Sequence, residues 1–184
     1  MKLTHNLMEE HKLINRMIDV LESAANQLEE NKEITPDIFD KAADFIRTFA
    51  DKFHHAKEED ILFKEMIKKG MPEKDSPVEA MLIEHEQGRA FVKGLIKATA
   101  EFKEGNEKKA KEIIENARGY IELLREHIKK EDDILYPLAE KMFTEDEKEK
   151  QLDRFKEAEI SKGGEKTVSE YVEIVKKLEA RVLE

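Results

Sequence analysis

The chain has 184 residues, of which 41% are charged and 39% hydrophobic, with a formal net charge of −10. That length can bury a core of its own, the acidity excludes the basic footprint of non-specific nucleic-acid binding, and the absence of cysteine excludes disulfides, zinc–thiolate sites and iron–sulfur clusters. No apolar run approaches the roughly 20 residues of a membrane span and the first residues lack a signal-peptide pattern, so a cytoplasmic protein with no membrane partner is expected.

Leu3, Leu7, His11, Ile14, Ile18, Leu21, Ala25 and Leu28 recur at three- and four-residue spacing and predict an amphipathic helix from Leu3 to Glu30. His11 stands in that stripe where an aliphatic residue would be ordinary. Thr35 and Pro36 supply a cap and a first helical residue for a second helix, from Pro36 to Lys69. Ala42, Ile46, Phe49, Phe53 and Ile61 mark its buried side, with His54 and Glu58 adjoining, and Gly70 with Pro72 ends it. Ser76 and Pro77 open a third helix, to Lys103, whose stripe runs Val78, Met81, His85, Val92, Leu95 and Thr99. Past Gly105 and Asn106, a fourth helix runs from Glu107 to Met142 through Ile113, Ala117, Tyr120, Leu124, His127, Glu131 and Leu138, with a kink or early stop expected at Pro137.

Four long helices with short connectors predict an all-α fold, an up-down-up-down four-helix bundle over residues 1–143. Residues 144–184 form a C-terminal helical extension. Past Gly163 and Gly164, Val168, Tyr171, Val175, Leu178 and Val182 make a narrow seam suited to docking on the bundle or on a partner.

The chain repeats itself. The ten residues from His54 to Phe63 align without gaps on those from His127 to Tyr136, with His, Lys, Glu, Asp, Ile and Leu identical, Glu59 facing Asp132 and Phe63 facing Tyr136. Each copy follows a Glu-His pair, Glu10-His11 and Glu84-His85, at 43 and 42 residues from histidine to histidine. A histidine and a glutamate four apart share one helix face, so His11, His54, Glu58, His85, His127 and Glu131 can converge between four helices and hold two metal ions. Buried without a cation, such a set would be costly. Imidazole with carboxylate favours iron, manganese or zinc over calcium. His5 lies off the stripe, and helix geometry turns His55 about 100° away from His54, which assigns both to the surface or to places behind the ligands. The Glu-x-x-His order of ferritin-like di-iron bundles is absent.

The arrangement resembles the hemerythrin-like (HHE cation-binding) family over roughly residues 3 to 142. The resemblance is carried by Glu10-His11, His54-x-x-x-Glu58, Glu84-His85-Glu86, His127-x-x-x-Glu131 and the tails that run to Phe63 and Pro137. It implies two non-haem iron ions, carboxylate- and oxo- or hydroxo-bridged, with Glu58 and Glu131 as bridges and His11, His54, His85 and His127 as terminal ligands. Asp132 is the rival bridge. Oxygen-carrying members have a fifth histidine where this chain has Met81, matched by Leu7 in the first half. That departure turns the expectation from oxygen carriage toward reaction with O2, peroxide or nitric oxide, in stress defence or iron-centre repair. Glu10 and Glu84 are placed to fix the tautomer of a ligating imidazole, and Tyr120 to donate to a bound oxygen species. The alternatives are an oxygen or iron sensor or store, and a zinc or manganese structural site. The expected partners are the small ligand, a redox partner and a second copy of the chain.

Overall fold

The structure, a computed structural model, describes residues 2–162 and 168–182. Gly163 and Gly164 lie outside the described residues. Those described are almost wholly helical and contain no strand. Helix α1 is His5–Glu29. Helix α2 runs over residues 37–68 without a break, passing through stretches of i→i+5 spacing at Ile46–His55 and Glu58–Leu62. Helix α3 is Pro77–Lys103, and α4 runs over residues 110–142 with a third such stretch at Glu131–Leu135.

The caps follow local chemistry. Ser76 Oγ accepts the Glu79 backbone N–H at 3.2 Å, a contact worth about 1 kcal/mol. Thr35 does not cap α2: its hydroxyl instead accepts from Arg181 at 2.5 Å, near the end of the last helix. Pro137 does not stop α4, which continues to Met142. The i→i+5 stretch ends at Leu135, so the missing proline N–H falls in the first turn of the resumed α-helix, where no donor is needed.

The four helices pack as sequential antiparallel neighbours. Lys103 at the end of α3 meets Asp40 at the start of α2, and Arg118 near the start of α4 meets Glu29 at the end of α1. Two more helices follow among the described residues. Helix α5, Glu145–Lys162, starts on a reciprocal pair in which the Thr144 N–H donates to Glu147 and the Glu147 N–H to Thr144 Oγ1. It covers the second half of α2 through Lys57–Glu159 and Arg154–Glu65 ion pairs and the buried Phe155. Helix α6, Val168–Val182, lies between α1 and the first half of α2, with Tyr171, Val175, Leu178 and Val182 in the core. Val168, expected in that seam, is exposed.

The core is split in two. One apolar cluster holds Ile14, Phe49, Val92, Leu124 and the α6 seam; the other holds Leu7, Ile61, Met81, Leu135 and Phe155. On every bundle helix a buried histidine lies between these clusters, joined by Glu10 on α1, Glu58 and Lys57 on α2 and Glu131 on α4, so a polar layer lies sandwiched between two dry ones.

Candidate metal centre

Two of the i→i+5 stretches, Glu58–Leu62 and Glu131–Leu135, occupy aligned positions of the repeated motif, and Ile46–His55 ends on the first two residues of its first copy. Such turns carry an extra residue and are common at functional sites. Successive side chains along them turn through less than the α-helical angle, so more of them can face one axis. His11, His54, Glu58, His85, His127 and Glu131 all lie inside this layer, and none is more than 2% exposed.

Their inner atoms make a tight set. Glu58 Oε2 is 3.7 Å from His54 Nε2 and 3.6 Å from His85 Nε2, so one carboxylate reaches both halves of the repeat. Glu131 does the same: Oε2 is 3.2 Å from His11 Nε2 and Oε1 is 3.2 Å from His127 Nε2. The His85 and His127 Nε2 atoms are 3.0 Å apart. The donor atoms fall into two groups that could each hold a cation, one of His11, His54, Glu58 and Glu131, the other of His55, His85 and His127.

Behind the imidazoles stands a ring of carboxylates. Each Nδ1 is held from outside: His11 by Asp132 at 2.8 Å, His54 by Glu10 at 2.8 Å, His85 by Glu59 at 2.7 Å and His127 by Glu84 at 2.9 Å. The pattern has the two-fold symmetry of the sequence repeat. Glu10 and Glu84 each serve the histidine of their own half, while Glu59 and Asp132, aligned positions, each serve the opposite half. A carboxylate on Nδ1 favours the tautomer that carries its proton there and leaves Nε2 as a lone pair aimed inward. Lysines neutralise two of these carboxylates, with Lys57 on Glu10 and Lys130 on Glu84. Arg89 holds Glu59 and Asp51.

The electrostatics show what the layer lacks. Burial, with the Glu131 charge adding, pushes the Glu58 carboxyl well above the usual range. Burial works against the Glu131 charge too, but the imidazoles of His127 and His11 outweigh it and hold its carboxyl low. Burial drives His54 toward the neutral form, whereas His127, despite its burial, is raised to about 9 by Glu131 and Glu84. His54 Nε2, Glu58 Oε2 and both Glu131 oxygens are buried with no hydrogen-bond partner. Orphaned atoms of this kind are rare in folded proteins, and these four converge. A divalent cation would satisfy lone pairs and negative charge together, so the residues fit a metal pair.

Several sequence expectations are sharpened here. His5 is exposed, as expected. Of the two places expected for His55, the surface is excluded: it is 7% exposed and its ring stacks on His85 at 3.8 Å between centroids, beside His127. It closes the i→i+5 stretch Ile46–His55. Asp132 turns outward to His11 Nδ1, while Glu131 occupies the centre. Met81 and Leu7 belong to the apolar cluster beneath the layer. Tyr136 was missed. Its hydroxyl donates to Glu58 at 2.6 Å and lies 3.3 Å from His11 Nε2. Its signal was the hydroxyl by which it differs from Phe63 at the aligned position.

The model of the hemerythrin HHE cation-binding domain matches residues 2–139. Among curated proteins, the chain is similar to an uncharacterised protein of Mycobacterium bovis and to its counterparts in two strains of Mycobacterium tuberculosis. Each is 21% identical over 175 residues, covering 95% of this chain and 68% of the relative. No solved structure matches the chain.

Proposed function

This chain belongs to the hemerythrin HHE cation-binding family, and on that premise we propose a non-haem di-iron protein that binds or reacts with O2, peroxide or nitric oxide. The observation that carries the reading is the pair of buried carboxylates, Glu58 and Glu131, each within 3.7 Å of imidazoles from both halves of the repeat and each with orphaned oxygens. One ion would be held by His11 and His54, the other by His85 and His127, with Glu58 and Glu131 between them. His55 could add a third imidazole to the second ion. Nitrogen and oxygen donors without thiolate suit iron. The metal pair, when bound, supplies the electrons of the redox chemistry.

The protein's own contribution is positional. Asp132, Glu10, Glu59 and Glu84 fix the imidazoles from outside, as such outer partners do for metal-binding histidines. Tyr136 holds Glu58 by its hydroxyl and keeps a neutral donor next to it, since burial raises its phenol well above the ordinary range. The apolar clusters above and below exclude bulk water and leave the layer with few competing donors. Elemental analysis with visible spectra before and after anaerobic reduction tests the reading. Two irons per chain and absorption that bleaches on reduction are expected. Zinc alone, or no metal after iron reconstitution, would remove the redox function and leave a structural site.

A second reading, a sensor or store, draws on the contact of α6 with α2. Tyr171 packs on Phe45 and Phe49 at 5.8 and 4.9 Å between centroids, and Phe49 stacks on Phe53, the residue before His54. Metal loss that loosened this aromatic chain would be felt by α6. Hydrogen exchange in Val168–Val182 that is the same with and without metal would dismiss it.

A further inference from the structure

Beside the His55, His85 and His127 group lies a cavity of about 370 Å³. Small-molecule sites span about 300 to 1,000 Å³, and one water occupies about 30 Å³ of liquid. A diatomic molecule would leave most of this space empty. The walls between α2, α3 and α4 are apolar, with Ile46, Val92, Ile96 and Leu124 facing inward.

Tyr120 lines the cavity, and its hydroxyl is buried with no hydrogen-bond partner. Burial raises its phenol far above the ordinary value, so it is a neutral donor awaiting an acceptor. Arg47 and Lys93, also in the lining, are exposed, and neither forms an ion pair among the described residues. The other charges of the lining are committed: Arg89 and Asp51 to each other, and Glu84 to His127 and Lys130. The unspent charge is therefore positive, on a chain whose net charge is −10. An apolar throat lined by two unpaired cations and one lone donor specifies its occupant.

We propose that this cavity binds a small organic acid with an apolar body, its carboxylate at Arg47 and Lys93 and an oxygen acceptor at its far end on Tyr120. Such a molecule lies against the imidazoles of His55, His85 and His127. The site goes beyond the di-iron reading and does not need it, because the cavity is formed by protein atoms alone.

Calorimetry on the full chain, metal-free and iron-loaded, tests it with three matched probes. These are 3-(4-hydroxyphenyl)propanoate, 3-phenylpropanoate without the far oxygen, and 4-propylphenol without the carboxylate. The first binds tightest, and removing either end weakens binding about tenfold, the size of one hydrogen bond or ion pair partly offset by solvation. Charge reversal in R47E/K93E, at exposed positions that leave folding intact, costs both acids that factor and leaves 4-propylphenol unchanged. Tyr120→Phe removes the preference for the far oxygen. Absence of binding to either form of the protein, or equal affinity in all variants, overturns the proposal. Binding by metal-free and iron-loaded protein alike separates it from the di-iron reading, which stands or falls on iron content.

Discussion

Glu131 and Asp132 are neighbours with opposite duties. Glu131 is fully buried and spans His11 and His127, while Asp132 is 27% exposed and steadies His11 from outside. Glu131→Gln is expected to lower iron content from two per chain to one or none. Asp132→Asn is expected to keep two with affinity reduced about 10- to 100-fold, as for other outer partners of a metal-binding histidine. Metal titration with elemental analysis separates the two, and equal loss in both variants would contradict the assignment. Tyr136→Phe tests another single group. It leaves Glu58 Oε1 without its donor, and an unsatisfied buried group costs about 1 to 3 kcal/mol. Denaturant unfolding of the metal-free protein should show that loss at unchanged iron stoichiometry after reconstitution; a variant as stable as the parent would mean the hydroxyl is dispensable.

Lys57 belongs to the scale of helices, because it ties three of them together. It rises from α2, is fully buried, lies 4.2 Å over the Phe53 ring, and pairs with Glu10 of α1 and Glu159 of α5. Glu10 in turn holds His54. Lys57→Met preserves the apolar stem but strands Glu10, and breaking a buried pair from one side costs about 3 to 5 kcal/mol. The metal-free variant should unfold at markedly lower denaturant; a loss under about 1 kcal/mol would show that water or His54 compensates Glu10. The i→i+5 stretches belong to this scale as well. They run through His54, His55 and Glu58, which α2 presents together.

Taken whole, the molecule is a polar layer held between two apolar ones, and its stability depends on what fills that layer. Free iron at 100 times its dissociation constant adds about 2.7 kcal/mol. A domain of this size gains about 2 to 4 °C per kcal/mol. Chelation is therefore expected to lower the melting temperature by roughly 5 to 10 °C, readable by calorimetry with and without chelator. An unchanged transition would show that the layer is balanced by protons alone. The outer helices contribute to the same whole. Leu178 of α6 is 2% exposed in the upper core, and Leu178→Ala should cost about 2 to 5 kcal/mol. A cost near zero would place α6 outside the cooperative unit.

The helices and the six inward residues were legible in the sequence, because three- and four-residue periodicity and a repeated His-x-x-x-Glu are local patterns written in spacing alone. The outer partners of the histidines were half legible. Glu10 and Glu84 were suspected from their place in the repeat. Glu59 and Asp132 were not, because each serves a histidine of the opposite half and that pairing exists only when four helices close around one axis. Which of its two expected places His55 takes was not legible, because its stacking on His85 exists only when α2 and α3 meet. Tyr136 and the cavity above His55 likewise depend on which side chains meet across the bundle. Periodicity and donor chemistry determined the fold and the metal-binding character of this protein; the register of one helix against another decided which atoms face the centre, which stand behind them, and where space remains beside them.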